Sequence, residues 1–449
     1  MYLLTELILF SPFIVYACIQ VRKLIPRSGL RHAFVVFYIC LFLGYPAAEL
    51  ASHGETGAWA GPLILGGYFC LPYLLYITLT VVAIDLVIVL ARIVKAVRPE
   101  TVAGRRFRSA RLASYIMIPA LVVAAGSWNN NRLRVKNLLV ELPQKSSNLE
   151  QMQIVFASDF HLSRITRDNL VERFVEKVNR SNPDLVLIGG DVLEGDREED
   201  LRNYESQFRK IRSKYGVYVA AGNHERYRGS AGEFFARSGM KLVEDGVVKI
   251  DGGLYLVIRK NARFARRMPI SELLKNAPEN LPVIVVDHSP TDLESVSNSR
   301  ADLQFSGHTH NGQLFPVNLL VMPFQYELAW GTMIKRHTAF IVSSGLQAWG
   351  PPVKTAGDSE ILSVKVKFGH QSAPVFISKA LTAFLTRFRS EEAQTGMDTG
   401  RIWRISASAT EGPAGVLDST SRSPRESNAA DMPGSASAVE IWGEMRAKT

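Results

Sequence analysis

The sequence predicts a layered α/β body carried behind a four-helix membrane region. Two patterns predict this. The first ~130 residues hold four long apolar stretches, and from Arg132 onward short apolar runs alternate with segments of helical period. A third observation concerns chemistry: small groups of Asp, His and Asn fall where the apolar runs of the second part end.

Bulk composition narrows the function classes. The 449 residues carry a net charge of +10. Much of that excess sits in short basic clusters beside apolar segments, which points to a membrane surface. No Arg/aromatic interleaving or nucleic-acid motif is present, so no nucleic-acid partner is expected. Cys18, Cys40 and Cys70 all lie in apolar stretches. That placement argues against a disulfide framework and against a thiolate metal site.

The first apolar stretch runs from Leu3 to Val21, the second from Ala33 to Ala51, the third from Pro62 to Val94 and the fourth from Leu112 to Trp128. Each reaches the ~20 residues needed to span a bilayer, apart from small deficits at its ends. The first lacks a basic leader and is followed by Arg22, Lys23 and Arg27, so it reads as an anchor. Asp85, inside the third, reads as a buried polar contact within the bundle. Residues 1–128 are therefore expected to be four transmembrane helices, with the lipid bilayer as partner. The loops orient them. The first carries Arg22, Lys23, Arg27 and Arg31, and the third carries Arg92, Lys95, Arg98, Arg105, Arg106, Arg108 and Arg111; the second, Ser52 to Gly61, has no Lys or Arg. Basic loops stay cytoplasmic, which makes this a multi-pass protein of the cell membrane with everything after the fourth span outside.

Residues 132–368 supply the α/β body. LRVKNLLVEL opens it as a strand, IVFASD follows as a strand and NLVERFVEKVNRSN as a helix. DLVLIGGD reads as a strand, NYESQFRKIRSKYG as a helix and VYVAAGN as a strand. PVIVVDH and ADLQFSG repeat the strand pattern, and AFIVSSGL and EILSVKVKF close the body near Phe368. Beyond it, 374–389 has the spacing of an amphipathic helix, through Ile377, Leu381, Phe384, Leu385 and Phe388. Residues 390–449 are polar and small, without period, and read as disordered.

The chemistry sits at the strand ends. SDFH gives Asp159 and His161, GGDVLEG gives Asp191, GNHE gives Asn223 and His224, VDHSP gives His288, and GHTH gives His308 and His310. Residues i and i+2 of an extended segment face one side, so each His-x-His or Asp-x-His pair can aim at one point. In open α/β sheets this carboxyl edge is where sites assemble. Carboxylate, imidazole and one amide oxygen without thiolate suit Mn, Fe or Zn. Asp159, His161, Asp191, Asn223, His288, His308 and His310 are too many for one ion and right for two divalent metal ions if one carboxylate bridges. Asp191 is the natural bridge. Such a pair acidifies a shared water and clamps phosphoryl oxygens. His224 is left over, and can protonate a leaving oxygen or steady the phosphate.

The ordered set DFH, GD, GNHE, H and GHTH resembles the calcineurin-like metallophosphoesterases across Arg132 to Phe368. The resemblance implies a four-layer sandwich of two mixed β-sheets flanked by helices. It implies one metal at Asp159, His161, Asp191 and His310, a second at Asp191, Asn223, His288 and His308, and His224 as the catalytic histidine. GHTHNGQ and the anchored N-terminus are similar to the membrane-associated branch, which includes cell-envelope phosphoesterases and UDP-2,3-diacylglucosamine pyrophosphatase-type enzymes. The expected substrate is thus a lipid-linked or envelope phosphoester or pyrophosphate. Departures are Asn311 where this branch usually has glycine, Glu194 where Asp is common, Lys354 in place of an arginine, and no proline before Glu360-Ile361. The alternative reading is a non-catalytic module of the same fold attached to a membrane bundle. The sequence sets no oligomeric state.

Overall fold

The computed structural model describes residues 2–376, apart from 54–59, 164, 195–197, 226–230, 252, 264–266, 279 and 371–372. The chain opens with helices α1 (Tyr2–Leu24), α2 (Ser28–His53), α3 (Ala60–Ile93), α4 (Pro99–Ala103) and α5 (Arg105–Asn130). Among the described residues, α2, α3 and α5 are long and apolar enough to cross a membrane. The expected first span coincides with α1, whose residues 2–10 have side chains outside the described set. The long third stretch is one helix of 34 residues, unbroken at Pro72. At 1.5 Å per residue it is ~51 Å long, well beyond the ~30 Å of a bilayer core.

Small residues let α2 and α3 approach closely. A Cβ added at Gly67 would lie 2.5 Å from the Gly44 carbonyl oxygen and 2.6 Å from Ala48 Cβ. Backbone contact of this kind replaces the hydrophobic drive that lipid removes. Asp85 is buried, as its place in an apolar run suggests. Its carboxylate pairs with Arg111 at 2.5 Å, accepts from Tyr16 at 2.7 Å and also accepts from the Tyr115 hydroxyl. A single carboxylate thereby ties α1, α3 and α5 together.

The body follows as β1 (Arg134–Pro143), β2 (Gln151–Ala157), α6 (Leu170–Arg180), β3 (Leu185–Ile188), α7 (Glu198–Phe208), β4 (Val217–Ala220), α8 (Ala231–Arg237) and β5 (Lys241–Val243). Then come β6 (Gly246–Ile250), β7 (Leu254–Ile258), α9 (Ile270–Leu273), β8 (Val283–Val286), α10 (Leu293–Ser297) and β9 (Leu303–Ser306). It ends with α11 (Val317–Gln325), β10 (Gly331–Lys335), β11 (Thr338–Val342), β12 (Glu360–Gly369) and β13 (Val375–Phe376). Two mixed sheets result, ordered β13-β1-β12-β2-β3-β4-β5 and β10-β11-β9-β8-β7-β6. Their inner faces pack on each other through Phe156 and Phe305, stacked at 5.0 Å, with Ile154, Leu187, Leu256 and Ile284 around them. Phe160, Phe174, Phe208 and Phe234 seal the outer face of the first sheet under α6, α7 and α8. Leu273 and Val296 do the same for the second sheet under α9 and α10. The four-layer expectation holds.

Strands β2, β3 and β4 run parallel, as do β7, β8 and β9. Both triplets are short apolar runs buried on two faces, which is what a parallel sheet covered by helices requires. Their carboxyl ends therefore collect along one edge of the sandwich.

Two local expectations change. The helix expected over NYESQFRKIRSKYG stops at Phe208. The side chain of Asn179, from α6, donates to the Lys210 carbonyl at 2.9 Å and accepts from the Arg212 amide at 2.8 Å. Those bonds satisfy the backbone in a non-helical turn. The amphipathic stretch expected at 374–389 begins instead with a strand, since Val375 and Phe376 pair with β1. Its remainder, and all of 390–449, lie outside the described residues.

The α2–α3 seam gives a paired test. Gly67→Ala forces a Cβ into α2 backbone, whereas a Cβ at Gly66 meets nothing within 4 Å. Overpacking of this kind costs ~1–3 kcal/mol. Thermal unfolding in detergent should show a lowered midpoint for Gly67→Ala and none for Gly66→Ala. Equal midpoints would mean that the two helices do not touch there.

Candidate metal centre

Each expected ligand stands where a buried strand gives way to a turn. Asp159 and His161 follow β2, Asp191 follows β3, Asn223 and His224 follow β4, His288 follows β8, and His308 and His310 follow β9. The turns are sharp. Asp159, His161, Asp191, His308 and His310 all have positive φ, at 58°, 43°, 50°, 72° and 49°. This left-handed region costs a non-glycine residue ~1–3 kcal/mol, and such residues cluster where function demands a side chain in a fixed place.

Backbone bonds hold the turns. The Asp159 amide donates to the Gly190 carbonyl at 2.9 Å, and the His161 amide donates to the Asp191 carbonyl at 3.0 Å. The Asp191 carboxylate accepts the His224 amide at 2.8 Å, and the Asp159 carboxylate accepts the His308 amide at 3.1 Å. Beneath them, the buried Glu225 carboxylate accepts amides of Gly222 at 2.6 Å, Asp191 at 3.0 Å, Val192 at 2.6 Å and Leu193 at 3.2 Å. Glu225 therefore fixes the two loops that present Asp191, Asn223 and His224.

The side chains converge in two groups: Asp159, His161 and His310 in one, and Asp191, His288 and His308 in the other. His161 Nε2 lies 3.1 Å from His310 Nε2, and His288 Nε2 lies 3.2 Å from His308 Nδ1. His288 Nδ1 donates to the Gly189 carbonyl at 2.7 Å, and His310 Nδ1 donates to the Gln347 carbonyl at 3.1 Å. A carbonyl only accepts, so each Nδ1 carries a proton and each Nε2 is the nitrogen turned inward, available as a lone pair once the ring is neutral. Asn223, in the loop whose His224 amide bonds Asp191, has its Oδ1 buried and without a hydrogen-bond partner among the described residues. An orphaned amide oxygen and facing imidazole nitrogens fit divalent cations, and the all-N/O donor set fits Mn, Fe or Zn.

His224 stands at the rim. Its Nδ1 lies 3.0 Å from Glu194, and its Nε2 lies 3.9 Å from the Asp191 carboxylate. Glu194 also binds His161 Nδ1, and Trp349 Nε1 donates to it at 3.2 Å. The extra methylene of Glu over Asp lets one carboxylate reach all three. Burial works against its charge, but His161 and His224 outweigh burial and hold Glu194 at about 2. Burial likewise opposes charge on His161, yet Glu194, Asp191 and Asp159 keep it at about 9. Asp191 and Asp159 raise His288 to about 10 against its burial. Burial, reinforced by His288, lowers His308 to about 3, and burial with His161 pulls His310 well below the ordinary imidazole value. Each group thus pairs a cationic imidazole with a neutral one.

The departures from the expected pattern have structural reasons. Asn311 has φ 50° and ψ 36°, a left-handed conformation that asparagine tolerates better than most side chains. Lys354 is fully buried and donates to the carbonyls of Ser344 at 2.6 Å, Gly345 at 3.0 Å and Asp358 at 3.0 Å; burial lowers it to about 8. It pins the loop on which Gly345, at φ 82°, passes Asp159; a Cβ there would lie 2.8 Å from Asp159 Cβ.

Sequence reasoning missed the far wall. A cavity of about 590 Å³ opens beside the centre, lined by His161, Glu194, Asn223, His224 and Arg263 from the body and by Glu49, Ser52, Ile64 and Tyr68 from α2 and α3. No spacing rule joins residues 49–68 to residues 161–263. The Glu225 hub was also missed, although its place in GNHE directly after Asn223 and His224 was visible.

Comparison with known proteins agrees with this geometry. The profile described as calcineurin-like phosphoesterase matches residues 152–312. The chain is 31% identical over 225 residues to an uncharacterized metallophosphoesterase of Helicobacter pylori, covering 48% of this chain and 60% of that protein. It is 26% identical over 287 residues to a transmembrane protein with metallophosphoesterase domain of Danio rerio, covering 60% of this chain and 65% of that protein. It is 26% identical over 189 residues to the phosphodiesterase YaeI of Escherichia coli, covering 39% of this chain and 67% of that protein. The chain spans less than two thirds of the length of the Helicobacter and Danio relatives.

The imidazole pairs make metal uptake pH-dependent. A ligating imidazole must be neutral, and His161 and His288 hold protons up to about 9 and about 10 without metal. Uptake therefore expels protons, and affinity should rise with pH from 6 to 8 by up to about tenfold per unit for each proton displaced. Calorimetric titration of chelator-stripped protein with Mn²⁺ in two buffers of different ionisation enthalpy should count those protons and two ions per chain. Affinity independent of pH would contradict the arrangement.

Proposed function

Residues 152–312 match the calcineurin-like phosphoesterase profile, and from that premise we propose that the chain is a membrane-anchored phosphoesterase using two divalent metal ions on a lipid-linked or cell-envelope substrate. One observation carries the lipid-linked part. The cavity at the metal centre is shared with the ends of apolar helices, through Ile64 and Tyr68 of α3 and Glu49 and Ser52 of α2. A substrate seated at His224 also touches those helices, which suits a molecule held in a bilayer.

Asp159, His161, Asp191 and His310 would hold one ion, and Asp191, Asn223, His288 and His308 the other, with Asp191 as bridge. When bound, the pair supplies acidification of water and neutralisation of phosphoryl charge. The chain's own residues do the rest. Glu194 orients His224 through Nδ1 at 3.0 Å, which leaves Nε2 facing the centre. A proton on that Nε2 is placed to reach the leaving oxygen as the phosphoester or pyrophosphate bond breaks. Arg263, on the cavity wall, offers a fixed positive charge to substrate phosphate oxygens. Trp349 and the helix ends narrow the access of bulk water.

The basic loops after α1 and α3 lie at the helix ends opposite the catalytic body, so the positive-inside bias supports an extracytoplasmic site. That side favours an outward-facing lipid or envelope phosphoester over a UDP-2,3-diacylglucosamine-like precursor of lipid A, whose nucleotide-linked form is made in the cytoplasm.

Full-length protein in phospholipid micelles with Mn²⁺ should hydrolyse bis(p-nitrophenyl) phosphate and release the headgroup of a phospholipid or envelope lipid phosphate. His224→Asn should lower kcat by ~10²–10⁴-fold while metal content by elemental analysis stays at two per chain. Folded, metal-loaded protein without turnover on either substrate would leave a non-catalytic module as the reading.

A further inference from the structure

The segment that leaves the His308–His310 loop touches the site through Tyr326, whose ring meets His308 edge-on at 6.3 Å, but the metal centre does not account for the rest of it. From Leu314 to Tyr326 the sequence LFPVNLLVMPFQY carries no charged residue. It forms α11, and its open side is apolar: Phe315, Leu319, Leu320 and Phe324 are 52%, 59%, 63% and 88% exposed. A contiguous patch of this size on one short helix marks an interaction surface.

Its attachment says what covers it. Leu314 packs against a cluster formed by Tyr76 of α3, Val123 of α5 and Val353. The Tyr76 hydroxyl donates to the Phe315 carbonyl at 2.8 Å, and the Phe315 amide donates to Thr355 Oγ1 at 2.9 Å. Trp128 of α5 is well exposed, with the Arg132 guanidinium 5.1 Å above its ring. An aromatic ring beside a basic group at a helix end is the usual mark of a membrane boundary. Val123 precedes Trp128 by five residues, so the attachment lies about 7.5 Å toward the bilayer centre from that boundary. Further from that boundary α5 still turns apolar side chains outward, with Leu121 63% and Met117 53% exposed. Leu314 fastens α11 to the Val123 end of that apolar stretch.

We infer that α11 is an interfacial helix: its Leu319, Leu320 and Phe324 face is immersed among the acyl chains of the leaflet next to the catalytic body, and the partner of this surface is the lipid bilayer itself. The inference rests on reading α2, α3 and α5 as membrane spans. An uncharged helix that lies along the boundary with one apolar side in the acyl region is a stable arrangement. It ties the metal centre to the membrane from a second direction. Gly312, which follows the ligand loop at φ 67°, packs on Asn318 so closely that a Cβ would lie 2.8 Å from Asn318 Cα. The height of α11 in the leaflet therefore sets the height of His308 and His310.

The test uses full-length protein with Cys18, Cys40 and Cys70 replaced by alanine, reconstituted in phosphatidylethanolamine–phosphatidylglycerol vesicles containing a lipid with an acyl-chain nitroxide. Leu320→Cys, Leu121→Cys and Lys249→Cys are each labelled with an environment-sensitive fluorophore. Quenching at 320 at least half as strong as at 121, with none at 249, is expected. Quenching at 121 without quenching at 320 would overturn the inference and leave the spans standing. A blue-shifted but unquenched label at 320 would place protein on α11, from residues 377–449 or a second copy, and would also overturn it. No quenching at either 121 or 320 would remove the membrane reading and this inference with it.

Discussion

Glu225 is a carboxylate buried under the metal centre that accepts four backbone amides, and the arrangement above it depends on those bonds. A buried amide left without an acceptor costs about 1–3 kcal/mol, and Glu225 is the acceptor of all four. The loops it gathers leave β3 and β4, two strands held in parallel register. Asp191 can therefore sit at φ 50° without the turn relaxing. Five of the proposed ligands in the left-handed region amount to several kcal/mol of local strain. The tightly packed sheets on either side of Phe156 and Phe305 supply the rigidity that holds it.

Much of this was legible in the sequence, for a simple reason. Parallel strands buried on both faces must be continuous apolar runs, and the first polar residues after each run must lie on the same edge. Asp159, Asp191, Asn223, His288 and His308 could be placed from that logic alone. The apolar helices were legible from length and composition, since the run Pro62 to Val94 is longer than a bilayer core requires. What was not legible depends on contacts between distant positions. Asn179 ends α7 early by bonding residues 210 and 212, and nothing in NYESQFRKIRSKYG records it. The strand at Val375–Phe376 depends on β1, more than 200 residues earlier. Short elements such as β5 and β6 are half-buried edge strands whose pattern is too weak to read.

The electrostatics of the centre are arranged in opposed pairs. Asp191 is drawn well below the usual carboxylate range by His288 and His161 despite burial, whereas burial and the neighbouring Asp191 push Asp159 up. Glu194 sits outside both groups and couples the first of them to the rim, since it touches His161 on one side and His224 on the other. A substitution at Glu194 would reach the ligand His161 and the rim residue His224 together. Behind Asp159, the cationic Lys354 is held by three carbonyls in place of a carboxylate partner. It braces the loop without competing for the metal-facing oxygens.

The cavity draws its two walls from parts of the chain that a conventional expression strategy would separate. A fragment beginning at Arg132 would keep all seven ligands and His224, yet it would lack Glu49, Ser52, Ile64 and Tyr68. If the proposed chemistry holds, such an excised body would still act on any small ester that diffuses in while having lost the helical wall of the cavity. Substrate screens run on soluble truncations would then rank compounds by leaving-group reactivity, and the preference of the intact protein would surface only with the helices attached.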